Sequence, residues 1–126
     1  MSDYFIEGTA ETPGIDLNCE KGYLVIKGRS IPENSIDFFE PFLEKLGEYV
    51  NDPSPQTKVD FNLEYFNTSS SKCILDILRL LQKIHVGGNE VTIDWYHDED
   101  DEEIQEIGQD YSHIINVPFN IKVIAN

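Results

Sequence analysis

Four consecutive hydroxyl side chains, Thr68 to Ser71, stand between Asn67 and Lys72. The preceding residues 59–66 alternate apolar and polar side chains, which is the period of a half-buried strand. Residues 73–84 are apolar almost all the way round and have the pattern of a buried helix. The hydroxyls therefore lie where a strand ends and a helix begins. The free backbone N–H groups of a first helical turn favour anions at such a place.

This hydroxyl-rich segment has a simple structural explanation, in which Asn67 or Thr68 caps the helix and Ser69 to Ser71 fill its first turn. One cap suffices, however, and Ser and Thr are poor helix formers. A phosphoryl group on one hydroxyl would add about −1.5 to −2 charges. The helix dipole would stabilise that charge, and Lys72 is the nearest cation in the sequence. Burying the charge in an interface would block a partner. A nucleophilic Thr68 or Ser69 would need an adjacent base, which no motif identifies.

Other groups that could do chemistry have simpler explanations. The acidic run at 98–103 lacks the glycine and ligand spacing of an EF-hand loop, and it suits either the solvated start of a helix or a docking face for a basic partner. The histidines and cysteines have no ligand or redox spacing, so no metal site and no cofactor are expected. These residues are His85, His97, His113, Cys19 and Cys73.

The composition limits the classes of function. A chain of 126 residues suffices for one domain, which we take to span 1–126. The net charge of −15 argues against nucleic-acid backbones and anionic membrane surfaces as partners. No long apolar run and no basic N-terminal leader are present, so we expect a cytoplasmic protein.

The order of the predicted elements indicates the fold class. A β-hairpin is followed by alternating helices and strands, which predicts a single α/β domain with a mixed sheet and crossover helices. Pro41 lies within the first helix and should kink it or delay its start. The predicted strands are 4–6, 15–19, 23–28, 58–66, 91–96 and 119–124, and the predicted helices are 35–50, 69–86 and a segment around 104–111.

In the hydroxyl-rich segment and in several other motifs, the sequence resembles the SiaC family of bacterial regulatory phosphoproteins. The resemblance covers nearly the whole chain, and the motifs that carry it are Gly8-Thr9, Thr12-Pro13, Pro32-Glu33-Asn34-Ser35, Asn67-Thr68-Ser69-Ser70 and Lys72. It implies a STAS-like fold related to anti-sigma-factor antagonists. Ile31 and Pro41 depart from the family pattern and leave the identity of the partner open.

The resemblance implies that Thr68 is phosphorylated by a dedicated Ser/Thr kinase and dephosphorylated by a PPM-type phosphatase. It also implies that the unmodified protein, itself not an enzyme, activates a diguanylate cyclase and so affects cyclic di-GMP and biofilm formation. Asn67, Ser69, Ser70 and Lys72 would then shape the site. Residues 33–35, Glu33, Asn34 and Ser35, are candidates for partner docking or kinase recognition. The alternative functions are an anti-sigma-factor antagonist of the STAS type and a small hydrolase using Thr68 or Ser69.

Overall fold

The computed structural model describes residues 3–124, which form one six-stranded sheet and three helices. The strands are β1 Tyr4–Ile6, β2 Gly14–Asn18, β3 Tyr23–Ser30, β4 Gln56–Phe66, β5 Glu90–His97 and β6 Phe119–Val123, and the helices are α1 Ser35–Asn51, α2 Thr68–Val86 and α3 Glu102–Ile114. The spatial order of the strands follows the sequence order. The first three strands pair antiparallel, and β3 to β6 pair parallel. The predicted α/β class with a mixed sheet and crossover helices is confirmed.

The three helices lie on one face of the sheet. Each helix connects a parallel strand to its next neighbour in the same direction, and right-handed crossovers then place all three on the same side. On this side the strands bury alternate apolar residues, such as Leu24 and Ile26 on β3 or Val59 and Phe61 on β4. The other face of the sheet, which we call the open face, carries polar and aromatic side chains.

Trp95 on β5 is the largest side chain of the core, and four other rings surround it. Its ring centroid lies 5.4 Å from that of Phe61, 5.6 Å from Tyr111 and 6.2 Å from both Phe66 and Phe119. Its indole N–H donates to the carbonyl of Ile104 over 2.9 Å, so α3 is attached to the sheet at this point.

Helix α1 begins at Ser35, with Asn34 as its N-cap. The Asn34 side-chain oxygen accepts from the backbone N–H of Asp37 over 3.1 Å. The expectation that Pro41 delays the start of the helix is therefore wrong, because the cap fixes the first turn before the chain reaches Pro41. The ring of Pro41 is on the exposed side of α1.

The open face carries a charged cluster centred on Asp94 of β5, which is only 1% exposed. Lys58 on β4 lies 2.7 Å from the Asp94 carboxylate, Lys122 on β6 lies 2.9 Å from it, and Asn120 donates to it over 3.0 Å. Burial by itself would raise the pKa of Asp94, but the three donors outweigh it and lower the pKa to about 2. Asp94 therefore stays ionised and links three parallel strands.

Residues 3–124 contain no group of three or more metal-ligating side chains placed to hold an ion. Over the same range, no helix is both long enough and apolar enough to cross a bilayer.

Candidate functional site

The hydroxyl-rich segment at 67–72 forms the start of α2, at the carboxyl end of β4. Asn67 is the N-cap and keeps an extended backbone. Its side-chain oxygen accepts from the backbone N–H of Ser70 over 2.9 Å and from the Ser69 hydroxyl over 3.2 Å. Thr68 is then the first residue of the helix, so Asn67 rather than Thr68 provides the cap.

Ser70 fixes the start of α2 to the end of β3. Its hydroxyl is fully buried, donates to the Ser30 carbonyl over 3.1 Å, and lies 2.8 Å from the Ser30 hydroxyl. The backbone N–H of Asn67 donates to the same Ser30 carbonyl over 3.0 Å. Nothing in the spacing of the sequence points to Ser30, since a lone Ser at a strand end has many possible partners.

Ser35 brings the two motifs of the sequence together. It is the first residue of α1 and is 2% exposed. Its hydroxyl oxygen lies 2.7 Å from that of Ser69 and 3.2 Å from that of Ser70. Side-chain hydrogen bonds thus join the N-termini of α1 and α2. The bonded residues are separated in the sequence by 34 positions in one pair and 35 in the other.

Two of the predicted docking residues, Glu33 and Asn34, are exposed just before α1. The third, Ser35, lies beneath them, and its hydroxyl is directed to the start of α2 rather than to solvent. Glu33 and Asn34 therefore have exposed side chains, although the Asn34 oxygen caps α1, whereas Ser35 is buried; a docking role for the three residues remains a prediction.

Thr68 is exposed, as Ser69 is, but its hydroxyl is not bound into this network. Within residues 3–124 the structure gives its hydroxyl no hydrogen-bond partner. Lys72 is exposed one turn further along α2, so a cation stands four residues from Thr68 on the same helix. Among the four consecutive hydroxyls, those of Ser69, Ser70 and Ser71 are engaged in hydrogen bonds, and Thr68 combines an exposed side chain with an unengaged hydroxyl in the described part of the chain.

The starts of α1 and α2 together form a corner, and the third helix contacts it on α2. The Tyr111 hydroxyl of α3 donates to the Ser71 carbonyl over 2.9 Å. Burial raises the pKa of Tyr111 to about 12, so this phenol remains a donor at neutral pH. The side chain of Ser71 turns away from the network and donates to the Thr68 carbonyl over 2.6 Å.

The backbone dipoles where the starts of α1 and α2 meet favour an anion, although the acidic side chains Glu33 and Asp37 lie at the start of α1. The N-termini of α1 and α2 meet there, and both contribute free N–H groups and the positive ends of their dipoles. The hydrogen-bond partners of Ser69 and Ser70 within the described residues are hydroxyls, an amide oxygen and a carbonyl, and no imidazole or carboxylate is among them. This arrangement can hold a negative charge, and none of these partners is a base that could activate Ser69 or Ser70.

A shallow groove of about 330 Å³ begins beside the corner and runs between α1 and α2. Ile36, which is 71% exposed, stands at its upper end. Leu43 and Cys73 provide further apolar surface. The acidic members of the lining are Glu40, Glu44 and Asp76.

The acidic run at 98–103 forms the start of α3, as the first of the two explanations predicts. Asp101 is the N-cap, and its carboxylate accepts from the backbone N–H of Ile104 over 3.0 Å. Glu102 and Glu103 occupy the first turn, where the helix dipole favours negative charge. A docking role for the run remains a prediction.

Comparison with known proteins gives consistent matches over nearly the whole chain. The family described as SiaC family regulatory phosphoprotein matches residues 6–124. An uncharacterised protein of Pseudomonas aeruginosa strain UCBPP-PA14 is 35% identical over 122 residues, which cover 97% of each chain.

Two solved structures are similar in fold and in sequence. SiaC of Pseudomonas aeruginosa superposes with a TM-score of 0.88 at 34% identity, over 98% of this chain and 100% of the other. The crystal structure of the diguanylate cyclase SiaD in complex with its activator SiaC, from the same organism, gives a TM-score of 0.90 at 34% identity, over 97% of this chain and 100% of the matched chain.

Proposed function

The chain belongs to the SiaC family of regulatory phosphoproteins, and from that premise we propose that it is a signalling protein switched by phosphorylation of Thr68. In its unmodified form it binds and activates a diguanylate cyclase, as SiaC is the activator of SiaD. It acts by binding and catalyses no reaction of its own. A dedicated Ser/Thr kinase and a PPM-type phosphatase set its state.

One observation carries the proposal. Thr68 is exposed with a free hydroxyl, while Asn67, Ser69 and Ser70 are held by hydrogen bonds around it. In the modification step, the kinase transfers the γ-phosphoryl group of ATP to Thr68 Oγ1, the hydroxyl proton leaves to a base of the kinase, and ADP is released. The adjacent helix N-termini and Lys72 would then stabilise the phosphate.

The same geometry explains how one modification can release a partner. Thr68 precedes Ser69, whose hydroxyl lies 2.7 Å from that of Ser35 at the start of α1, so a partner docked on the start of α1 and on the groove at Ile36 would lie beside Thr68. A dianion buried in such an interface without a matching cation costs several kcal/mol. Since about 1.4 kcal/mol corresponds to a tenfold change in affinity, phosphorylation should weaken the complex by at least tenfold.

Mass spectrometry after incubation with ATP and the cognate kinase tests the site. We expect one added phosphoryl group, located on Thr68 and absent from Thr68→Ala. Ser71→Ala is the matched control, because Ser71 lies in the same helical turn and its hydroxyl is outside the network. Phosphorylation of Thr68→Ala to the extent of the wild type would show that the assignment is wrong.

Capture of partners from native lysate tests the function. Unmodified protein should retain a cyclase with a GGDEF signature, and phosphorylated protein should not. Retention of a GHKL-type kinase that also binds a sigma factor would instead identify an anti-sigma-factor antagonist of the STAS type. Turnover of a substrate that is lost in Thr68→Ala would favour the hydrolase.

A further inference from the structure

We infer that Ser35 is a positioning residue of the phosphorylation site and transmits the state of Thr68 to the first turn of α1. The inference rests on the proposed function, because it assigns the route by which the same site acts. It starts from the hydrogen bonds of Ser35, which connect α1 to the residue that follows Thr68.

The protons of the four buried or bridging hydroxyls can be assigned by counting, since each hydroxyl has one proton to donate. Ser70 donates to the Ser30 carbonyl, and Ser69 donates to the Asn67 side-chain oxygen. The Ser30 hydroxyl then donates to Ser70.

The Ser35 hydroxyl proton then has two possible acceptors, the hydroxyl oxygens of Ser69 and Ser70. The Ser69 oxygen lies 2.7 Å from the Ser35 oxygen and the Ser70 oxygen lies 3.2 Å from it, so Ser69 is the closer acceptor. The position of the Ser69 hydroxyl is therefore set from two sides, by the cap of α2 and by the first residue of α1.

A phosphate on Thr68 alters this balance. A phosphoryl group is a strong acceptor with three oxygens, and it competes with Asn67 for the proton of the Ser69 hydroxyl on the next residue. When the Ser69 side chain rotates about its Cα–Cβ bond to donate to the phosphate, its bond to Asn67 is lost and its oxygen moves relative to Ser35. The first turn of α1 then has to adjust, because Ser35 is buried and has only Ser69 and Ser70 as hydroxyl partners in the described chain.

The residue that follows Ser35 makes this adjustment matter for binding. Ile36 is 71% exposed and forms the upper end of the groove between α1 and α2. A change at Ser35 thus moves an apolar side chain offered to a partner. The phosphate would act both directly, by its charge, and indirectly, by repositioning Ile36.

Nuclear magnetic resonance of protein carrying phosphothreonine at position 68 tests the inference. The amino acid is installed during translation, so the experiment does not depend on any kinase. In wild type, the phosphate should shift the backbone amide signals of residues 36–38. In Ser35→Ala these shifts should fall by more than half, whereas in Ser71→Ala they should stay as in wild type.

Two further variants cover a loss of folding in Ser35→Ala. Ser69→Ala removes the other partner of the 2.7 Å bond and should suppress the same shifts. Ser35→Thr keeps the hydroxyl and should restore them. Undiminished shifts in both alanine variants, or equal loss in Ser71→Ala, would overturn the role of Ser35. Failure of the kinase to modify Thr68 would instead count against the proposed function alone.

Discussion

At the scale of single residues, the contact between Gly108 and Trp95 shows how closely the core is packed. Gly108 is buried on α3, and a Cβ atom added to it would lie 2.4 Å from Cδ1 and 2.6 Å from Nε1 of the indole. The absence of a side chain at Gly108 is thus what lets α3 approach the sheet. The bond from the indole N–H to the Ile104 carbonyl depends on the same approach.

Substitution of Gly108 by Ala should destabilise the protein by roughly 1–3 kcal/mol, the usual cost of overpacking. Gly47→Ala is the matched control, because Gly47 is also helical and a Cβ there meets no atom within 4 Å. Gly47→Ala should gain about 0.5–1 kcal/mol from helix propensity. Urea unfolding of the three proteins measures both changes. Equal effects in the two variants would show that propensity rather than packing controls position 108.

Some features of the candidate site can be predicted from its residue types, and others cannot. A cap at Asn67 and an anion-favouring corner follow from residue types, because cap preferences are local. The hydrogen bond from Ser35 to Ser69 does not follow from them, since it depends on how far β3 and β4 bring two helix starts together. The roles of Ser30 and Tyr111 are likewise set by tertiary contacts that no spacing encodes.

At the scale of elements, the Asp94 cluster joins the last three strands of the sheet, β4, β5 and β6. Lys58 lies on β4, Asp94 on β5 and Lys122 on β6, so a single carboxylate receives a cation from each neighbouring strand. The cluster lies on the open face, against which none of the three helices in residues 3–124 packs. Its ionic contacts therefore provide part of the stabilisation that a covering helix would give these strands.

The pKa of Asp94 predicts a specific pH dependence of stability. The folded value of about 2 lies below the ordinary value of 3.8. The contribution of Asp94 to stability is therefore complete above about pH 4 and is lost as the pH falls towards 2. We expect Asp94→Asn to lower the free energy of unfolding by about 1–3 kcal/mol at pH 7. This difference from wild type should shrink between about pH 4 and pH 2.

Urea unfolding across that pH range provides the measurement. Asp110→Asn, which changes an exposed carboxylate on α3, is the control and should differ little from wild type at any pH. A difference between Asp94→Asn and wild type that stays constant down to pH 2 would contradict the assigned role of the charge.

The elements themselves follow well from the sequence, because apolar periodicity and capping residues are local signals. The hairpin, the α1 start at Ser35 and the parallel order of the later strands all agree with prediction. The prediction that Pro41 delays the start of α1 is wrong. Proline disfavours a helix interior, but the cap at Asn34 and the buried residues Phe39 and Phe42 of the same helix fix α1 around it.

At the scale of the whole molecule, charge is unevenly distributed. The chain has 24 acidic and 9 basic side chains. On the open face Lys58 and Lys122 neutralise the carboxylates beside them, whereas α3 begins with an acidic run, and residues 98–110 include no Lys or Arg. The surplus of negative charge therefore lies mainly on the helical side, which is also the side of Thr68. Each added phosphate has to be accommodated against this background.

This surplus predicts that added salt stabilises the fold. Raising sodium chloride from about 10 mM to about 150 mM shortens the screening length from about 30 Å to about 8 Å. Repulsion among dispersed surface carboxylates is then screened, whereas the pairs around buried Asp94 are screened much less. The urea midpoint should thus rise with salt, and potassium chloride should have the same effect at equal ionic strength. A variant with Glu99→Gln and Asp100→Asn, two exposed positions, should respond less. A midpoint that falls with salt would mean that attraction between charges, and not repulsion, dominates the folded state.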